Sequence, residues 1–150
     1  MVFRGFFNKI TNYSNLEVPR KFNTILHTLQ NDIFLENGKV IIWTIFIQNA
    51  LELQEYLKTN NVDSELLIGQ VPQEEREITI KAFNDPNNND FNVVIANPFS
   101  VAESISLHKG CHNAIYLERD YNCSNFLQSK DRIHRVGLKD NQITKYYYFV

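Results

Sequence analysis

KVIIWTIFIQNALELQEYL, residues 39–57, changes its period halfway along. The first part, KVIIWTIF at 39–46, is a continuous apolar, β-branched run, the composition of a strand covered on both faces. From Asn49 to Thr59 the apolar positions become Ala50, Leu53 and Leu57, which share one stripe of a helix.

The same alternation continues in both directions. Upstream, residues 1–18 read as a lead-in segment and 19–150 as one domain. Pro19 is suited to a helix's first turn, and 20–35 places Phe22, Ile25, Leu26, Leu29 and Ile33 at helical spacing. Downstream, SELLI at 64–68 predicts a second strand, ended by Gly69. Residues 73–83 predict a helix with glutamates at its start, where the helix dipole favours acids. NVVIA at 92–96 and NAIYL at 113–117 are further buried strands, and Ser124 can cap a helix running to about His134. TKYYYFV at 144–150 closes the chain as an aromatic-rich strand. NDPNNNDFN, 84–92, reads as an exposed loop because Asn, Asp and Pro favour turns. The order strand, helix, strand, helix, strand, strand, helix, strand predicts an α/β fold, an open, mainly parallel sheet with helices on both faces. Ligands of such sheets sit at the strands' carboxyl ends, here Thr44–Gln48, Ile68–Val71, Asn97–Ser100 and Glu118–Asn122.

Composition excludes some classes. The net charge is −2, so no global basic field advertises nucleic acid or membrane. The charge is unevenly spread: residues 51–90 carry three basic side chains against nine carboxylates, and 109–145 carry seven against four. The C-terminal third is thus locally basic. No run approaches the roughly 18 apolar residues a bilayer span needs. MVFRGFFNKI is too polar for a signal peptide, and two cysteines make no disulfide framework. These features predict a reduced, cytoplasmic protein.

The basic third contains QSKDRIHRVG, 128–137. On a helical wheel Gln128, Arg132 and Arg135 fall within about 60° of one another, opposite Phe126 and Ile133. Such a face is either an ordinary solvated one or a pair of guanidiniums aimed at phosphate, which arginine grips in planar, bidentate fashion.

Q-x-x-x-R-x-x-R-x-G after a buried strand resembles motif VI of superfamily 2 helicases, and DRIHRVGL is most similar to the Snf2-type branch, whose pattern runs Q-x-x-D-R-x-H-R-I-G-Q. The resemblance extends upstream in order. Residues 39–57 look like motif IV and its helix. LLIGQVPQEEREITIKAFND, 66–85, is similar to the stretch reading I-D-G-S-T followed by R and F-N. VVIANPFSVAESISL, 93–107, stands in the place of motif V, and NAIYLERDYNCSNFLQSKDRIHR, 113–135, matches the strand, loop and helix of motif VI.

The resemblance implies a second RecA-like lobe of an ATP-dependent double-stranded DNA translocase. ATP and Mg²⁺ would be held mainly by an N-terminal RecA-like lobe, the partner of this one, with double-stranded DNA as the other partner and no membrane. By the same likeness Arg132 and Arg135 would be arginine fingers and Gln128 would orient them. Ile68, Gly69 and Gln70 would approach the DNA backbone, and motif V residues Asn97, Ser100 and Ser104 would bind DNA and couple it to the nucleotide. His108 and Lys109 follow motif V and are either phosphate contacts or solvated loop residues. The family's usual motif V glycines are replaced here, and Leu138 stands where a glutamine commonly follows motif VI. The chain has no G-x-x-x-x-G-K-[ST] and no D-E-x-H-type box, so it is expected to be inactive as an ATPase alone. The competing reading is a non-catalytic α/β interaction module that retains the lobe fold. A P-loop lobe encoded upstream would distinguish the two.

Other constellations have bland readings beside the functional one. His108, Cys111, His112 and Cys123 carry zinc-ligand chemistry without a standard zinc spacing, and burial of two thiols is the alternative. His134 shares a side with Leu127, away from the arginines, and reads as a packing residue. Tyr146, Tyr147, Tyr148 and Phe149 alternate in a strand, as core filling does, and Trp43 reads as core. Tyr121 and Asn122 belong either to the cleft or to a plain loop.

Overall fold

The computed structural model describes residues 20–97, 111–118 and 145–148. Helix α1 runs through 20–28 and β1 is Val40–Trp43. Then follow α2 (Ile47–Thr59), β2 (Ser64–Leu67), α3 (Gln73–Asn84), β3 (Val93–Ala96), β4 (Asn113–Tyr116) and β5 (Lys145–Tyr148). The five strands form one sheet in the order β2-β3-β1-β4-β5, and every neighbouring pair is parallel. The helix expected from Ser124 to about His134 lies outside the described residues.

The register is even: Val40 stands opposite both Val93 and Asn113, with Ser64 and Lys145 in the same row. Side chains alternate across the sheet, so the central strands feed two cores. Val40, Ile42, Val93, Ile95 and Ile115 meet Phe22 and Ile25 of α1, Leu29 just beyond it, and Ala50, Leu53 and Leu57 of α2. Ile41, Trp43, Val94, Ala96, Ala114 and Tyr116 meet Phe83 of α3 on the opposite face. This two-sided burial is why β1 and β3 read as unbroken apolar runs. The tyrosines of β5 divide in the same way. Tyr147 packs on the first core, while Tyr146 and Tyr148 pack on the second, with Tyr148 stacked on Tyr116 at 5.1 Å.

One expected element differs. The single helix predicted over 20–35 is α-helical through 28, then widens to a π-turn at Leu29–Ile33 and tightens to a 3₁₀ turn at Phe34–Glu36. Its end is a Schellman closure: Gly38 N–H donates to Ile33 O at 2.9 Å and Asn37 N–H to Phe34 O at 3.1 Å, with Asn37 left-handed at φ 55°. Leu29 and Ile33 are both buried within the π-turn. The same segment supplies Asp32 to the Tyr147 hydroxyl at 2.6 Å and Glu36 to the Lys145 ammonium at 3.1 Å, which fastens edge strand β5.

Candidate functional site

Strands β1 and β4 are neighbours whose onward connections leave in opposite directions, one to β2 and the other to β5. In a parallel sheet the carboxyl ends of such a pair flank the ligand crevice. The residues at this rim are Thr44, Ile45 and Phe46 after β1, and Leu117 and Glu118 after β4.

Glu118 dominates the geometry. Its Oε2 accepts the Thr44 hydroxyl at 2.7 Å and the Ile45 N–H at 3.0 Å, and its Oε1 accepts the Asn49 side-chain amide at 2.5 Å. Thr44 Oγ1 in turn accepts the Phe46 N–H at 3.3 Å, a local turn that ends the strand and starts α2. On the other flank Asn97, at the end of β3, donates its side-chain amide to Ile45 O at 3.2 Å. Main-chain bonds continue the ladder past the strands: Thr44 N–H to Ala96 O at 3.0 Å, Leu117 N–H to Trp43 O at 2.9 Å and Asn97 N–H to Leu67 O at 3.2 Å. Phe46, at the tip of this turn, is 56% exposed.

At the end of β2 the side chain of Ile68 faces the first core and is only 1% exposed. The residue is thus withdrawn from the surface, and of the expected trio Ile68, Gly69 and Gln70 only the last two are open to a DNA backbone. Gly69 and Gln70 are exposed, in a turn closed by Val71 N–H on Ile68 O at 3.1 Å. Gly69 leaves the main chain there uncrowded by a Cβ. Asn97 is buried, so its amide braces the β1–α2 turn instead of pointing outward. The remaining expected site residues, Ser100, Ser104, His108, Lys109, Gln128, Arg132 and Arg135, lie outside the described residues, as do Tyr121, Asn122, Cys123 and His134.

Cys111 is fully buried, its thiol donating to Asn113 O at 3.0 Å. Desolvation raises this thiol's pKa to about 12, against lesser opposing effects from backbone hydrogen bonds and Lys39. A protonated, inaccessible thiol is a poor metal ligand. Among the described residues no group of three or more His, Cys, Asp or Glu side chains is arranged to hold a metal ion. No helix among them is long and apolar enough to cross a membrane.

Sequence reasoning placed Thr44 and Glu118 at strand ends but missed the network joining them. Its one local signal is a carboxylate that directly follows a buried strand on the rim side, in NAIYLE.

Residues 20–137 match the family described as helicase conserved C-terminal domain. The chain is 30% identical over 105 residues to mouse SWI/SNF-related matrix-associated actin-dependent regulator of chromatin subfamily A member 1, covering 69% of this chain and 10% of that protein. It is 28% identical over 132 residues to transcription termination factor 2 of Drosophila melanogaster, covering 86% of this chain and 12% of that protein. The chain thus spans about a tenth of the length of these relatives. The crystal structure of the C-terminal part of the Fun30 ATPase domain superposes with a TM-score of 0.76 at 23% identity, over 87% of this chain and 40% of that one. That likeness extends to the parallel five-stranded α/β sheet, a RecA-like fold. The chain belongs to the helicase conserved C-terminal domain family and is a C-terminal lobe of the Snf2 type.

Proposed function

We propose that this chain is the second lobe of an ATP-dependent double-stranded DNA translocase and works against an N-terminal lobe that carries the P-loop. Arg132 and Arg135 act as arginine fingers toward a nucleotide on that lobe, and Gln128 orients them. ATP and its Mg²⁺ sit mainly on the N-terminal lobe, where the metal neutralises the developing phosphate charge. This chain contributes fixed positive charge and a rigid rim. Gly69 and Gln70, both exposed, meet the DNA backbone. Asn97, Ser100, Ser104, His108 and Lys109 belong to the segment that links the nucleotide side to the DNA side.

The observation that carries the reading is the rim itself. Three successive carboxyl ends, those of β3, β1 and β4, are cross-braced by Asn97 and Glu118 around one turn. The arginine-bearing sequence follows β4 after Glu118. Arginine fingers act by pre-set position, so a stiff exit from the sheet suits them.

The deciding experiment measures ATP hydrolysis by this chain mixed with its N-terminal lobe, with and without duplex DNA. Duplex-stimulated turnover that needs both polypeptides is the expected result. A pair that forms a complex yet shows no turnover would favour the non-catalytic module.

A further inference from the structure

The Glu118 carboxylate does more than end a strand. Both of its oxygens are used, and all three donors come from one short stretch, Thr44 to Asn49. Ile45 is gripped from two sides, its N–H by Glu118 from the β4 flank and its C=O by Asn97 from the β3 flank. Glu118 binds the N–H of Ile45, which precedes the N-cap residue Phe46, so it spends none of these bonds on the free N–H groups of α2's first turn. What it fixes is the turn, and Phe46 at the tip of that turn is exposed.

We infer that Glu118 is a positioning residue: it sets the β1–α2 turn, with Phe46 at its tip, against the exit of β4, and duplex-stimulated turnover depends on that setting. The functional half rests on the translocase-lobe reading above; the geometric half does not.

Two variants separate setting from bulk stability. Glu118→Ala removes all three acceptor contacts. Glu118→Gln keeps one oxygen for the Thr44 and Ile45 donors, while its new amide can donate to Asn49 once that side chain turns over. In the full chain, hydrogen exchange at the Ile45 amide is expected to accelerate at least about tenfold in Glu118→Ala, because a bond to a charged acceptor is lost. The Ile95 amide in β3 reports global opening and should hold its rate. In the mixture with the N-terminal lobe, duplex-stimulated kcat should fall at least about tenfold in Glu118→Ala with KM for ATP changed less than about twofold, and Glu118→Gln should recover most of it. Ile45 exchange that rises only in step with Ile95 overturns the geometric half. Faster Ile45 exchange with unchanged kcat overturns the functional half. If the unaltered chain shows no duplex-stimulated turnover, the lobe reading falls and takes the functional half with it, while the exchange measurement still decides the geometry.

Discussion

The Cys111 thiol and the Lys39 carbonyl lie 3.5 Å apart at the amino end of the sheet, and Asn113 binds the same carbonyl through its amide at 2.9 Å. The Lys39 ammonium runs the other way, donating to Phe83 O at 2.8 Å and Asp85 O at 3.0 Å at the end of α3. One residue thereby ties β1 to β4 through its backbone and to α3 through its side chain.

This knot predicts alkaline sensitivity. Burial raises the Cys111 thiol from an ordinary 9.0 to about 12, so between those values the native protein keeps a proton that the unfolded chain releases. Stability is then fully present below pH 9 and falls toward pH 12, by at most about 1.4 kcal/mol per pH unit for one group. Tyr147, raised by burial and by its bond to Asp32, acts in the same direction. Lys39, lowered by burial and partly restored by Asp85, acts in the opposite one, since the unfolded chain there holds the extra proton. Urea midpoints measured from pH 8 to 11 should fall in the unaltered protein and fall less steeply in Cys111→Ala. Equal slopes would mean that the thiol is not the group responsible.

Gly38 supplies a second test of the same corner. A Cβ at this position would lie 2.9 Å from Ile33 O, 3.0 Å from Asn113 Nδ2 and 3.1 Å from Ile33 Cγ2. The first contact is with backbone, and that oxygen already accepts the Gly38 N–H. Relief would have to break the Schellman closure or push Asn113 off the Lys39 carbonyl. Gly38→Ala should therefore destabilise by about 1–3 kcal/mol, as overpacking does. A thermal melt with an unchanged midpoint would contradict the closure as described.

The parts of the fold legible in the sequence were those with a local cause. The unbroken apolar runs of β1 and β3 announced two-sided burial, and the stripe of Ala50, Leu53 and Leu57 announced α2. The end of β1 was less legible. The apolar run continues to Phe46, but the strand stops at Trp43, because the Thr44 hydroxyl captures the Phe46 N–H and Glu118 takes the Ile45 N–H. The rewinding of α1 also has a distant cause, since Asp32 and Glu36 reach residues of β5 more than a hundred positions away. The Glu118 network was missed for the same reason: its partners lie 69 to 74 positions upstream. Periodicity reports neighbours along one element and carries nothing about a carboxylate crossing between two.

DNA binding by the chain alone should be weak. Its net charge is −2, and the contacts proposed for it go to phosphates, which carry no base sequence. Fluorescence anisotropy with labelled duplex is expected to give a Kd no tighter than about 10⁻⁶ M at physiological salt, weakening steadily as salt rises. Tight, sequence-selective binding would contradict a backbone-reading lobe.

Arg135 gives the sharpest test of the proposed chemistry. An arginine finger meets charge that develops only in the transition state, so its removal should cost turnover far more than nucleotide affinity. In the mixture with the N-terminal lobe, Arg135→Ala should lower duplex-stimulated ATP hydrolysis by roughly 10³-fold or more, while nucleotide binding weakens only mildly. Arg135→Lys should not restore it, because a lysine keeps the charge but loses the planar fork. Arg132→Ala should behave alike if the two guanidiniums act on one phosphate group. Single-turnover hydrolysis and equilibrium binding of a fluorescent ATP analogue separate the two effects. Full turnover in Arg135→Ala would remove the finger role, and equal losses of affinity and rate would recast the residue as a simple binding contact.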